Sequence, residues 1–111
     1  MNKNMAGLLK QAQKMQREME KAQENLVNIK VEGSAGGGMV TVTANAAQEL
    51  LEIKIEPEVV DSEDVEMLED LVLAAVNQAL QNARVRAEEE LAKVTGGMMP
   101  NMFGGGKIPG F

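Results

Sequence analysis

Four glycines crowd six positions in Gly33-Ser34-Ala35-Gly36-Gly37-Gly38. Glycine loops cradle phosphate when they join a strand to a helix and carry a lysine, as in GxxxxGK[ST], or when GxGxxG opens a helix. Here no lysine follows, and Met39-Val40-Thr41-Val42-Thr43 alternates like a strand. The expected role is a hairpin connection, in which glycine supplies positive φ at low steric cost. Exposed N–H groups in such a loop could still approach a phosphate or a partner backbone.

Other chemistry is constrained by what is missing. The chain has no histidine, cysteine, tyrosine or tryptophan, and its two phenylalanines are Phe103 and Phe111. General acid–base, thiol and zinc chemistry would lack their usual residues, and no convergent Ser/Lys/Asp motif replaces them. The expectation is a protein that is not an enzyme and needs no cofactor, metal or small-molecule substrate. The acids Glu63, Asp64 and Glu66 read as the favourable negative charge of a helix start rather than as a metal site.

Charge supplies the positive signal. The net charge is −6, but residues 1–30 carry six basic and three acidic groups, whereas residues 49–70 carry one lysine and ten acids. In the heptad frame described next, Lys3, Lys10 and Arg17 fall at f, and Lys14 and Lys21 at c. All five face away from the apolar seam. Arg84, Arg86 and Lys93 lie on the distal half of a second helix. Two readings follow: a solvated helix face with pairs such as Lys14–Glu18, or a surface that tracks DNA phosphates without reading base sequence.

The elements that position these residues follow from periodicity. Met5, Leu8, Ala12, Met15, Met19, Ala22, Leu26 and Ile29 recur at alternating steps of three and four. That is an a/d seam, and it predicts a helix over residues 4–26 that pairs with another helix. The period then becomes two. Val27, Ile29 and Val31, then Val40, Val42 and Ala44, then Leu51, Ile53 and Ile55 predict three half-buried strands. The glycine loop and Asn45-Ala46-Ala47-Gln48-Glu49 connect them as an antiparallel meander. Pro57 closes the third strand, Asp61 or Ser62 caps a second helix, and the helical period runs to about Thr95, where Gly96-Gly97 ends it.

At ~1.5 Å per residue the second helix is about 50 Å long, against ~20 Å for a strand of this size. Its first half is expected on the sheet and its distal half, Ala83 to Val94, antiparallel on the seam of the first helix. The fold class is therefore α+β, an αβββα protomer. The apolar arc containing Leu68, Leu71, Val72, Ala75 and Val76 is wider than one small sheet covers, which predicts a homodimer interface there. Residues 1–95 form the expected domain. Residues 96–111 have no period and read as a flexible tail, or as a short linear ligand anchored by Phe103, Ile108 and Phe111.

Several stretches align with a known family: Leu9-Lys10-Gln11-Ala12-Gln13-Lys14-Met15-Gln16, "AGGGMVTVTAN" at 35–45, "IEPEVV" at 55–60, "DVEMLEDLVLAAVNQAL" at 64–80 and "TGGM" at 95–98. Along almost its whole length the chain resembles the YbaB/EbfC family of bacterial nucleoid-associated proteins. The resemblance implies a cytoplasmic, nucleoid-located, tweezer-like homodimer that binds double-stranded DNA with little sequence preference and affects nucleoid organisation or gene expression. It implies DNA contact at the basic positions already named. No apolar run approaches the length of a membrane span, so no membrane association is expected. A recombination protein is a further implied partner, and an adaptor for a recombination or replication factor is the alternative function. One departure stands out. The family carries a glycine in the second turn, where this chain has Asn45-Ala46-Ala47-Gln48-Glu49.

Overall fold

The computed structural model describes residues 3–96. The expected tail lies outside the described residues, apart from Gly96. Helix α1 (Lys3–Asn25) leads through a single 3-10 turn (Leu26–Asn28) into β1 (Lys30–Ala35), β2 (Val40–Asn45) and β3 (Leu50–Ile55). A second 3-10 turn (Pro57–Val59) precedes α2 (Val65–Gly96). The layout is αβββα, as expected. The described residues form two compact units: residues 26–87, with the sheet and the first part of α2, and residues 3–25 with 88–96, which include α1 and the last turns of α2.

In the sheet unit the strands form an antiparallel meander of order β1-β2-β3. Val40, Val42 and Ala44 of the central strand are fully buried, and with Val59, Ala75 and Ala79 they make the core. Thr41 and Thr43 on the other face are half-buried. Such alternation is what a strand with one covered face requires.

Helix α2 meets the sheet through a line of small residues, with Ala75, Ala79 and Ala83 all at 0% exposure. Opposite them Gly33 is buried in β1, paired with Val42. A Cβ at Gly33 would lie 2.6 Å from the Ala75 carbonyl oxygen and 2.8 Å from the Ala79 Cα, and against the Ala79 nitrogen. The helix backbone thus rests directly on the strand. Two hydrogen bonds hold it to the outer edge of β1: the Ser34 N–H donates to Gln78 Oε1 (2.7 Å), and Asn82 Nδ2 donates to the Glu32 carbonyl (2.7 Å).

The glycine loop is shorter than its sequence suggests. Gly33 belongs to β1, and the connection proper is Gly36–Met39, with the Gly38 and Met39 N–H groups donating to the Ala35 and Gly36 carbonyls. Gly36, Gly37 and Gly38 all have positive φ, at 65°, 68° and 94°. Three consecutive residues in a region unfavourable to side chains explain the glycine run.

The second turn is organised by Asn45, which is buried. Its Oδ1 accepts the N–H groups of Ala47 (3.0 Å) and Glu49 (3.1 Å), while Nδ2 donates to Glu49 Oε1 (2.7 Å). The turn docks on the start of the sheet, where the Ala46 N–H donates to the Ile29 (2.8 Å) and Leu26 (3.2 Å) carbonyls. This docking shifts the first strand. The alternation of Val27, Ile29 and Val31 places it from residue 27, but Leu26–Asn28 closes as a turn, with the Ile29 N–H donating to the Leu26 carbonyl at 3.2 Å. Pairing starts at Lys30.

The start of α2 differs similarly. Neither Asp61 nor Ser62 caps it. Asp64 does, accepting the Met67 N–H at 3.2 Å, and Asp61 Oδ1 instead accepts the Glu63 N–H at 2.9 Å in a preceding turn. The helix accordingly begins three residues beyond the expected residue 62.

Candidate nucleic-acid interface

The basic residues of α1 sit on a helix built from Lys, Gln, Glu, Met and Ala, all good helix formers. Its first turn holds no acid and its last turn no base, so the macrodipole gets no help from side chains there. At 100° per residue, Lys10, Lys14, Arg17 and Lys21 fall within an arc of about 60° and extend about 16 Å along the axis. All four are exposed. Lys3 opens the same helix at the same angular position.

Their ion pairing is sparse. Lys14 Nζ lies 4.0 Å from Glu18, both side chains well exposed. Exposed pairs of this kind contribute about 0–1 kcal/mol, so a phosphate can replace the carboxylate. Lys10, Arg17 and Lys21 make no salt bridge among the described residues. The stripe is therefore an open row of cations on the side of α1 away from its apolar seam.

The seam itself closes progressively. Leu8 (64% exposed) and Ala12 are open, while Met15, Met19 and Ala22 are half-buried. In the same unit Leu91 and Val94 of α2 are half-buried.

The cations of α2 are placed differently. Arg86 and Lys93 are seven residues apart and share a side, whereas Arg84 is rotated from Arg86 by roughly 160°. Arg84 Nη1 donates to Gln81 Oε1 (3.0 Å), and Lys93 Nζ donates to Glu90 Oε2 (3.0 Å). Arg84 and Arg86 belong to the sheet unit, and Lys93 to the unit that contains α1. The structure thus brings together the α1 row, while the three α2 cations do not form one row.

The expected dimer residues divide as well. Ala75 is buried in the protomer's own core, with Leu68, Leu71, Val72 and Val76 half-buried beside it. Leu71 leans towards the glycine loop, its Cδ2 being 3.0 Å from where a Gly36 Cβ would stand. Val72 and Val76 lie on the flank of α2 away from Gln78 and Asn82, the side towards β3, while Leu68 falls between Ala75 and Ala79 on the sheet-facing side. Strand β3 is exposed along its whole length. Ile53 pairs with Val42 and Ile55 with Val40, so both share the buried face of the sheet, yet they remain 46% and 38% exposed. One helix covers about two strands, and this one lies on β1 and β2. The open β3 face was not singled out from the sequence; its signal was three apolar strand faces against a single covering helix.

Among the described residues no group of three or more His, Cys, Asp or Glu is placed to hold a metal ion, and no helix is long and apolar enough to cross a membrane.

Comparison with known proteins now decides the family. The model of the YbaB/EbfC DNA-binding family matches residues 1–98. The chain belongs to this family. A nucleoid-associated protein of Caldanaerobacter subterraneus is 56% identical over 101 residues, covering 90% of this chain and 91% of the relative. One of Ruminiclostridium cellulolyticum is 54% identical over 102 residues, covering 90% and 89%. A crystal structure of an uncharacterized protein from Helicobacter pylori superposes with a TM-score of 0.58 at 23% identity, covering 70% of this chain and 90% of that one. That likeness bears on the fold alone, and it supports the αβββα arrangement.

Proposed function

We propose that this member of the YbaB/EbfC family is a nucleoid-associated, homodimeric DNA-binding protein of the cytoplasm, with no catalytic role, that holds the DNA backbone through the cationic row of α1. The observation that carries this reading is the confinement of Lys10, Lys14, Arg17 and Lys21 to one exposed side of one helix. A duplex carries one charge per about 1.7 Å of axis, so a row about 16 Å long faces a stretch holding roughly ten phosphate charges. Lysine and arginine on a rigid row contact phosphates wherever the row lands, which favours binding of many sequences alike. Arg86 and Lys93 are secondary contributors and Arg84 a peripheral one. Residues 1–95 carry the activity in this reading.

The test is a titration on unrelated duplexes at several salt concentrations. Replacing Lys10 and Arg17 by Gln keeps the helix propensity and the seam. The expected result is weaker binding on every duplex and a salt slope shallower by about one to two units, at about 0.9 per lost contact. Glu58→Gln with Asp61→Asn should leave binding equal or slightly tighter. Unaltered affinity and slope in the Lys10/Arg17 variant would move the contacts elsewhere and favour an adaptor for a recombination or replication factor.

A further inference from the structure

We propose that the N-terminal half of the α1 seam pairs with the same segment of another copy, so that protein bound to one duplex captures protein bound to a second. The inference rests on the DNA-binding reading above and adds a device for bridging.

The first support is length. In its own unit α1 has 23 residues, about 34 Å, whereas α2 contributes Glu88–Gly96, about 13 Å. No described element of the unit is long enough to run beside all of α1. Burial agrees: Met15, Met19 and Ala22 are half-buried, while Leu8, Leu9 and Ala12 are exposed, the two leucines at 64% and 53%. The heptad pattern nevertheless continues unbroken through that open part.

The second support is charge. In a helix pair the e and g positions decide which partner is accepted. Along the open half these are Asn4 and Gln11 at g, and Leu9 and Gln16 at e. All are uncharged. The cations of the same helix lie at c and f, on the far side. Two copies of α1 can therefore meet seam to seam with no charge repulsion across the junction. Neutral flanks give an acidic or a basic partner helix no advantage and set no charge against a second copy, which brings the same unbroken a/d pattern. Since the cations face away from the junction, pairing and phosphate contact use opposite sides of one helix.

A seam of about one and a half heptads is too short to hold two free molecules together. Two coated duplexes present many such contacts at once, and individually weak contacts then count through multivalency. Pairing is accordingly a property of the DNA-bound protein.

The experiment uses the full chain, with Leu8→Gln and Leu9→Gln together. Both changes are neutral and leave the cationic row intact. A duplex too short to hold two proteins should bind wild type and variant equally. An immobilised long duplex coated with protein should capture a second labelled duplex with wild type, and at least about tenfold less with the variant. Independently, Ala12→Cys introduces the chain's single thiol. A short bis-maleimide should link it between molecules on long DNA and far less in free solution. Equal capture by the variant, no capture by wild type, or Ala12→Cys linking that ignores DNA would each overturn the bridge. Loss of short-duplex binding by wild type would instead overturn the DNA-binding reading itself.

Discussion

Gln48 holds a conformation that its side chain resists. Its φ is 64°, the one positive value among the described non-glycine residues. A left-handed backbone costs an L-residue roughly 1–2 kcal/mol. The turn keeps it there because Asn45 fixes both sides: its side chain takes the Ala47 and Glu49 N–H groups, and its carbonyl takes the Gln48 N–H at 3.0 Å. Family resemblance pointed to a glycine in this turn, and the geometry shows what the glycine would relieve. Gln48→Gly should raise stability by about 0.5–1 kcal/mol after the extra flexibility of the unfolded glycine is deducted. Urea unfolding measures it, and a clear loss of stability would show that the Gln48 side chain contributes more than its backbone strain costs. The first turn resolves the same conflict differently, with glycine at each of its three positive-φ positions.

At the scale of elements, the contact between α2 and β1 sets the spacing of the layers. Gly33 and the alanines at 75 and 79 let backbone approach backbone, which buries little area per residue but leaves no room for a methyl group. Gly33→Ala should therefore cost about 2–3 kcal/mol, at the upper end of overpacking penalties, because the obstacle is helix backbone rather than a movable side chain. Gly37→Ala, with nothing within 4 Å but a φ of 68°, should cost about 1 kcal/mol through backbone strain alone. Thermal or urea melts compare them, and equal losses would refute the close-packing account. Much of this level was legible beforehand. The period of α1, the meander and the long α2 follow from side-chain spacing, which is local. The start of β1 and the cap of α2 were not. Both depend on which backbone groups find partners: Ala46 claims the carbonyls of Leu26 and Ile29, and Asp61 is engaged by Glu63, leaving the cap to Asp64. The α1 cations were legible as one row because helical angle alone fixes it. The α2 cations were grouped by sequence proximity, which does not place Arg84 and Arg86 on one side.

For the whole molecule, the unfinished surface is β3. Four of its six residues are apolar, and Leu50, Leu51, Ile53 and Ile55 stand between 38% and 48% exposed. An open apolar edge strand invites association, and proteins ordinarily cover it. Val72 and Val76 border the same strip, so a second copy seated there would cover part of the arc expected to carry the dimer. Ile53 lies in the middle of the strand and is nearly half exposed in the protomer, so a lysine there costs the isolated fold little. In a dimer it would bury an unpaired charge, at several kcal/mol. Wild type is expected to scatter light as a dimer at micromolar concentration and to melt at a temperature that rises with protein concentration. Ile53→Lys should scatter as a monomer, with dissociation at least about a hundredfold easier. Its melting temperature should lose the concentration dependence while its far-ultraviolet circular dichroism remains that of the folded chain. A monomeric wild type would remove the dimer from the functional reading. An Ile53→Lys protein that still dimerises would move the interface off β3.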